Sequence, residues 1–139
     1  MQHLTLQSSP LIQMSDRRDA RPSLVYDDKQ TALLRGPFLA RLSPLEYVLV
    51  MALLRQRERW QTDPGHGALC LSVKQLCAIS GSESTQSVHR LLNGASHKVA
   101  GLGIRIIRLH AEHRYFVLFS SEVEANDAEE EDLLVVLSS

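Results

Sequence analysis

At 139 residues the chain suits one domain with short tails and is too short for a two-lobed enzyme. Hydrophobic residues make up 44% of it, enough for a core, yet no apolar run approaches the roughly 20 residues that cross a bilayer. The net charge of −1 conceals a split: residues 1–22 carry +1, residues 23–120 carry twelve cations and seven acids for +5, and residues 121–139 carry seven acids and no cation for −7.

The N-terminus lacks the basic-then-apolar pattern of a signal peptide, so a soluble, cytoplasmic protein without membrane contact is expected. Two cysteines, Cys70 and Cys77, are too few for a disulfide framework and too widely spaced for a metal ribbon, and read as half-buried thiols.

Residues 1–22 are mostly polar, contain Pro10 and Pro22 and show no sustained period, which predicts a flexible arm. Leu24–Tyr26, the turn at Asp27-Asp28-Lys29, Thr31–Leu34, the turn at Arg35-Gly36-Pro37 and Phe38–Leu42 predict three short antiparallel strands. Ser43-Pro44-Leu45-Glu46 is a complete capping box with proline at N1. Leu42 and Tyr47 form its hydrophobic staple, and a helix is predicted from Pro44 to Arg59.

After the break at Asp63-Pro64-Gly65-His66-Gly67, Leu69-Cys70-Leu71 reads as a short apolar strand or lead-in. A second box, Ser72 with Gln75, opens a short helix over Val73–Ile79 that Ser80-Gly81 stops. Val88, Leu91, Leu92, Ala95 and Val99 then mark one face of a third helix, in which Gly94 should cost about 1 kcal/mol against alanine. Ile104–Leu109 and Arg114–Phe119 form a hairpin around a polar loop.

The simplest assembly is an α+β winged helix-turn-helix over residues 23–120, with a small N-terminal antiparallel sheet, three helices and a C-terminal β-hairpin wing. Residues 1–22 are the arm and residues 121–139 an acidic tail.

Over about residues 23–119 this pattern resembles the winged-helix effector domain of OmpR/PhoB-type response regulators. The resemblance is carried by Gly36–Leu53 with its Leu-Ser-Pro-x-Glu-Tyr opening, by Leu71–Leu76, by Ser87–Leu91 and by the hairpin from Ile104 to Val117. It implies a DNA-binding domain whose third helix enters the major groove. The chain departs from the pattern in its hairpin loop, which is long and lacks glycine, and in a third helix that contains Gly94 and few cations. The 22 preceding residues are too few for a phosphoacceptor receiver, so a stand-alone effector is expected.

Opposite the apolar stripe of the third helix lie Gln86, His89, Arg90, Asn93, Ser96 and His97, with Thr85 and Ser87 at its start and Lys98 at its edge. Arginine suits guanine, asparagine and glutamine suit adenine, and serine and threonine suit either, although any solvent-facing stripe is polar. Arg105, Arg108, Arg114, His110 and His113 are placed where a wing meets a phosphate backbone or minor groove, or where charge simply guards a strand edge. These histidines lack compelling metal-ligand spacing, so neither metal nor cofactor is expected. Protonation near histidine's ordinary pKa of about 6.5 would tighten DNA binding at acid pH.

The leading expectation is a double-stranded DNA-binding transcriptional regulator, and a body charge of only +5 suggests homodimers or tandem sites. The alternative is a winged-helix protein-interaction or adaptor module. No nucleophile-base pair, phosphate loop or metal cluster points to an enzyme. The tail joins the acids Glu122–Asp132 to Leu133–Leu137. It is a solvated segment, a phosphate mimic on the basic face, or a strand for a sheet edge or protein partner.

Overall fold

The computed structural model describes residues 23–63, 68–109, 111 and 113–119. The predicted arm at 1–22, His110 and the acidic tail at 121–139 lie outside them.

Strands β1 (Val25–Asp27), β2 (Ala32–Arg35) and β3 (Phe38–Arg41) form an antiparallel meander with Val25 opposite Leu34 and Arg35 opposite Phe38. β1 reaches one residue past the expected Tyr26 because Asp27 organises the turn. Its Oδ1 accepts the amides of Lys29 at 3.0 Å and Gln30 at 3.3 Å, an Asx turn that satisfies two backbone donors.

Both arms of the first capping box form: Glu46 N–H donates to Ser43 Oγ at 3.2 Å, and Ser43 N–H donates to Glu46 Oε1 at 2.8 Å. Helix α1 (Pro44–Thr62) runs three residues beyond the expected end at Arg59. Thr62 Oγ1 returns a bond to the Glu58 carbonyl, and Asp63 N–H closes on Arg59.

Strand β4 (Leu71–Ser72) begins later than Leu69-Cys70-Leu71 suggested, because only Leu71 and Ser72 meet partners, Tyr115 and Arg114. Leu69 and Cys70 are instead buried in a small cluster with Ile107, Leu109, Phe116 and Leu118. Ser72 also caps α2 (Val73–Ser80) through its reciprocal box with Gln75. Gly81 stops that helix at φ 75°, a conformation costly for residues with a Cβ.

Helix α3 (Thr85–Val99) is capped by Ser84 and buries Val88, Leu92, Ala95 and Val99 of the predicted stripe, with Leu91 half-buried at its edge. A 3-10 turn (Ala100–Leu102) leads into β5 (Ile104–Leu109) and β6 (Arg114–Phe119), whose limits match the expected hairpin. The second sheet has the order β4-β6-β5, antiparallel throughout.

The fold is therefore α+β: three helices and two three-stranded antiparallel sheets. Its main core joins Leu33, Leu49, Leu53 and Leu76 to the α3 stripe and to Ile104, Val117 and Phe119. Two buried guanidinium groups pack on the Phe119 ring, with Arg35 Cζ 5.1 Å and Arg57 Cζ 4.6 Å from its centre. Burial of both arginines is tied to that ring and to carbonyls, Leu102 O for Arg35 and Val117 O for Arg57. No helix among the described residues is long and apolar enough to cross a membrane.

Candidate nucleic-acid interface

Because the α3 stripe at Val88, Leu92 and Ala95 faces the core, Gln86, Arg90 and Asn93 are turned outward, and all three are exposed. Between this face and the hairpin runs a groove of about 510 Å³ lined by Gln86, His89, Arg90, Asn93, Ser96 and Arg108. A second hollow, of about 520 Å³, lies where Ser72, Lys74 and Thr85 meet His89, Arg108 and His113. The two share His89 and Arg108, and none of the described residues lining either is acidic.

Tyr115, absent from the sequence-derived candidates, organises the junction. It sits opposite Arg108 in the hairpin register, so the two side chains share a face. Its hydroxyl meets His89 Nδ1 at 2.6 Å, with the rings 5.7 Å apart. Burial pushes the Tyr115 hydroxyl above its usual pKa, against the opposing pull of Arg108. It therefore stays protonated at neutral pH and can donate to Nδ1, leaving Nε2 as the ring's donor.

The pleat separates the hairpin cations that the sequence grouped together. Arg108 shares its face with Ile106 and Tyr115, toward α3. Arg105 and Arg114 pair with Leu118 and Leu109, which places them on the opposite face, with the smaller cluster. Neither lines the α3 groove.

Lys98 is also redirected. Its ammonium bonds Glu46 Oε1 of α1 at 2.7 Å, which ties it to the helix–helix contact and not to the outer face of α3. Burial raises the Glu46 pKa, but the Lys98 and Ser43 bonds outweigh it and hold the carboxyl below its usual range. Thr85 and His97 are exposed at opposite ends of α3, and Ser87 is half-buried with its amide on the Ser84 cap.

His113 is exposed with φ 52°, so it takes the left-handed conformation that glycine favours. Its carbonyl accepts Val73 N–H at 2.9 Å and clamps the hairpin loop to the start of α2. Arg108 Nε is buried and has no hydrogen-bond partner among the described residues. No group of three or more His, Cys, Asp and Glu among the described residues could hold a metal ion.

No family model, curated protein or solved structure matches the chain.

Proposed function

We propose that the chain is a double-stranded DNA-binding transcriptional regulator of winged helix-turn-helix form, in which α2 and α3 are the two helices and the β5–β6 hairpin is the wing. The observation that carries this reading is the pair of adjoining hollows running from the outer face of α3 through His89 and Arg108 to Lys74 and His113, lined by no acid among the described residues. On it, Arg90 is suited to a guanine edge and Gln86 and Asn93 to adenine. Lys74, Thr85 and Arg108 suit phosphates, positioning the helix without reading sequence. A buried guanidinium donor without an acceptor, as at Arg108 Nε, costs stability that an approaching phosphate oxygen can offset by drawing the group into a full set of bonds.

An adaptor that binds protein through α3 is the second reading. Against it stands the distribution of exposed large apolar residues among the described ones: none of Phe38, Leu39, Leu45, Val48 and Ile79 lines the α3 groove or the hollow beside it. A modest body charge implies few phosphate contacts, so a second copy on a paired half-site would supply further affinity.

Fluorescence anisotropy of labelled duplex DNA, titrated with the full chain across a salt series, tests the proposal. Arg90→Ala with Asn93→Ala should cost about 1–3 kcal/mol per lost base contact and relax sequence preference. Arg108→Ala should weaken binding on all sequences and reduce the salt slope by about 0.9. No binding at low salt by the full chain, or binding indifferent to all three substitutions, would refute it.

A further inference from the structure

A groove more voluminous than either hollow beside α3 lies between α1 and α2, about 740 Å³ in volume, with Met51, Ala52, Leu71 and Ala78 in its walls and Val48 and Ile79 among its lining residues. Val48 is 38% and Ile79 44% exposed. Arg55 and Arg59 line it toward the C-terminal end of α1; toward the other end, Asp28 accepts the Tyr47 hydroxyl at 2.5 Å. An apolar groove with a basic end fits a segment in which acids adjoin a short apolar run.

Two terminal stretches of the chain lie outside the described residues, and charge chooses between them. Residues 1–22 bring Arg17, Arg18 and Arg21, of like sign to Arg55 and Arg59. Residues 121–139 bring Glu129-Glu130-Glu131-Asp132 directly before Leu133-Leu134-Val135-Val136-Leu137. Reach is sufficient. β6 ends at Phe119, whose ring centre is 4.6 Å from Arg57 Cζ of α1, and ten residues of extended chain from there span up to about 33 Å. That exceeds the roughly 28 Å length of a 19-residue helix such as α1.

We infer that residues 129–137 dock in cis in the α1–α2 groove, with the acids on Arg55 and Arg59 and Leu133–Leu137 against Val48 and Ile79. The order of acids and apolar residues makes the segment run antiparallel to α1. The hollows beside α3 offer the acids cations, but none of the exposed large apolar side chains among the described residues lines them. The α1–α2 groove accommodates both halves. This inference is independent of whether α3 binds DNA.

The test is the amide NMR spectrum of the full-length chain against full-length Leu133→Ser/Val136→Ser, with Arg55→Glu/Arg59→Glu as a second variant at exposed positions. Both variants are expected to shift Val48, Ala52, Ala78 and Ile79 and to leave Asn93 and Arg108 in place. Adding Glu130→Lys/Glu131→Lys to the arginine variant should restore the original groove shifts. Shifts centred on Asn93 and Arg108 would overturn the inference in favour of a tail on the α3 face. Absence of groove shifts in the serine variant would overturn it as well. Groove shifts that vanish on dilution as the sedimentation coefficient falls would place the segment on a second copy and overturn docking in cis.

Discussion

Gly94→Ala should destabilise this protein even though alanine is the better helix former. In an open helix the substitution gains about 1 kcal/mol. Here a Cβ built on Gly94 would sit 2.9 Å from Glu46 Oε2. That carboxylate is buried and cannot swing aside freely, because Ser43 N–H holds it at 2.8 Å and Lys98 Nζ at 2.7 Å. Moving it costs about 1 kcal/mol of capping and up to about 1 kcal/mol for the ion pair, whose lysine is half-exposed. It also costs at least about 1 kcal/mol for a buried carboxylate left poorly bonded. The net loss is about 1–2 kcal/mol by combining these contributions. A loss of 1 kcal/mol corresponds to a fall in Tm of about 4–8 °C for a domain of this size. Urea unfolding followed by circular dichroism measures it, and the decisive form is a double-mutant cycle with Glu46→Ala. In the Glu46→Ala background the Gly94 substitution should change sign and stabilise by about the propensity difference. A Gly94→Ala protein that gains the same stability with and without Glu46 would refute the steric account.

The same carboxylate predicts a pH dependence. Its folded-state pKa lies below the ordinary 4.5 because the Lys98 and Ser43 bonds outweigh burial, so its contribution is fully present above the unfolded value and is lost as pH falls through the folded one. Glu46→Gln should flatten the acid limb of stability against pH, and an unchanged limb would contradict the assignment. His113→Gly should be neutral or stabilising by up to about 1 kcal/mol in urea unfolding, since glycine takes a positive φ without the Cβ penalty; a clear loss would mean the side chain, not the backbone, holds the loop. Tyr115→Phe should cost about 0.5–1.5 kcal/mol through the lost bond to His89. It should also shift the His89 ring nitrogen resonances as Nδ1 loses its partner, and identical nitrogen spectra would contradict the proposed tautomer.

Much of the architecture is written in interactions three or four residues long. Ser43 with Glu46 and Ser72 with Gln75 close their boxes within a single turn, so the starts of α1 and α2 are legible from four consecutive residues each. The period of Val88, Leu92, Ala95 and Val99 likewise specifies which side of α3 is buried, and by subtraction that Gln86, Arg90 and Asn93 face outward. The N-terminal turns and the closing hairpin follow from the same local chemistry.

What the sequence leaves open is decided by contacts between distant residues. Ile104-Arg105-Ile106-Ile107-Arg108-Leu109 has apolar residues on both faces, because the strand packs α3 on one side and the small Phe116 cluster on the other. The pleat puts Arg105 and Arg108 on opposite faces, but alternation alone could not say which of the two meets α3. Lys98 meets Glu46 across 52 residues and His89 meets Tyr115 across 26, and neither pairing has a local signature. Gly94 reads in the sequence as a flaw in a helix, whereas packing makes it the space that the Glu46 carboxylate needs. Local backbone chemistry thus determined the elements and the outward face of α3, while their packing decided which charged side chains reach that face.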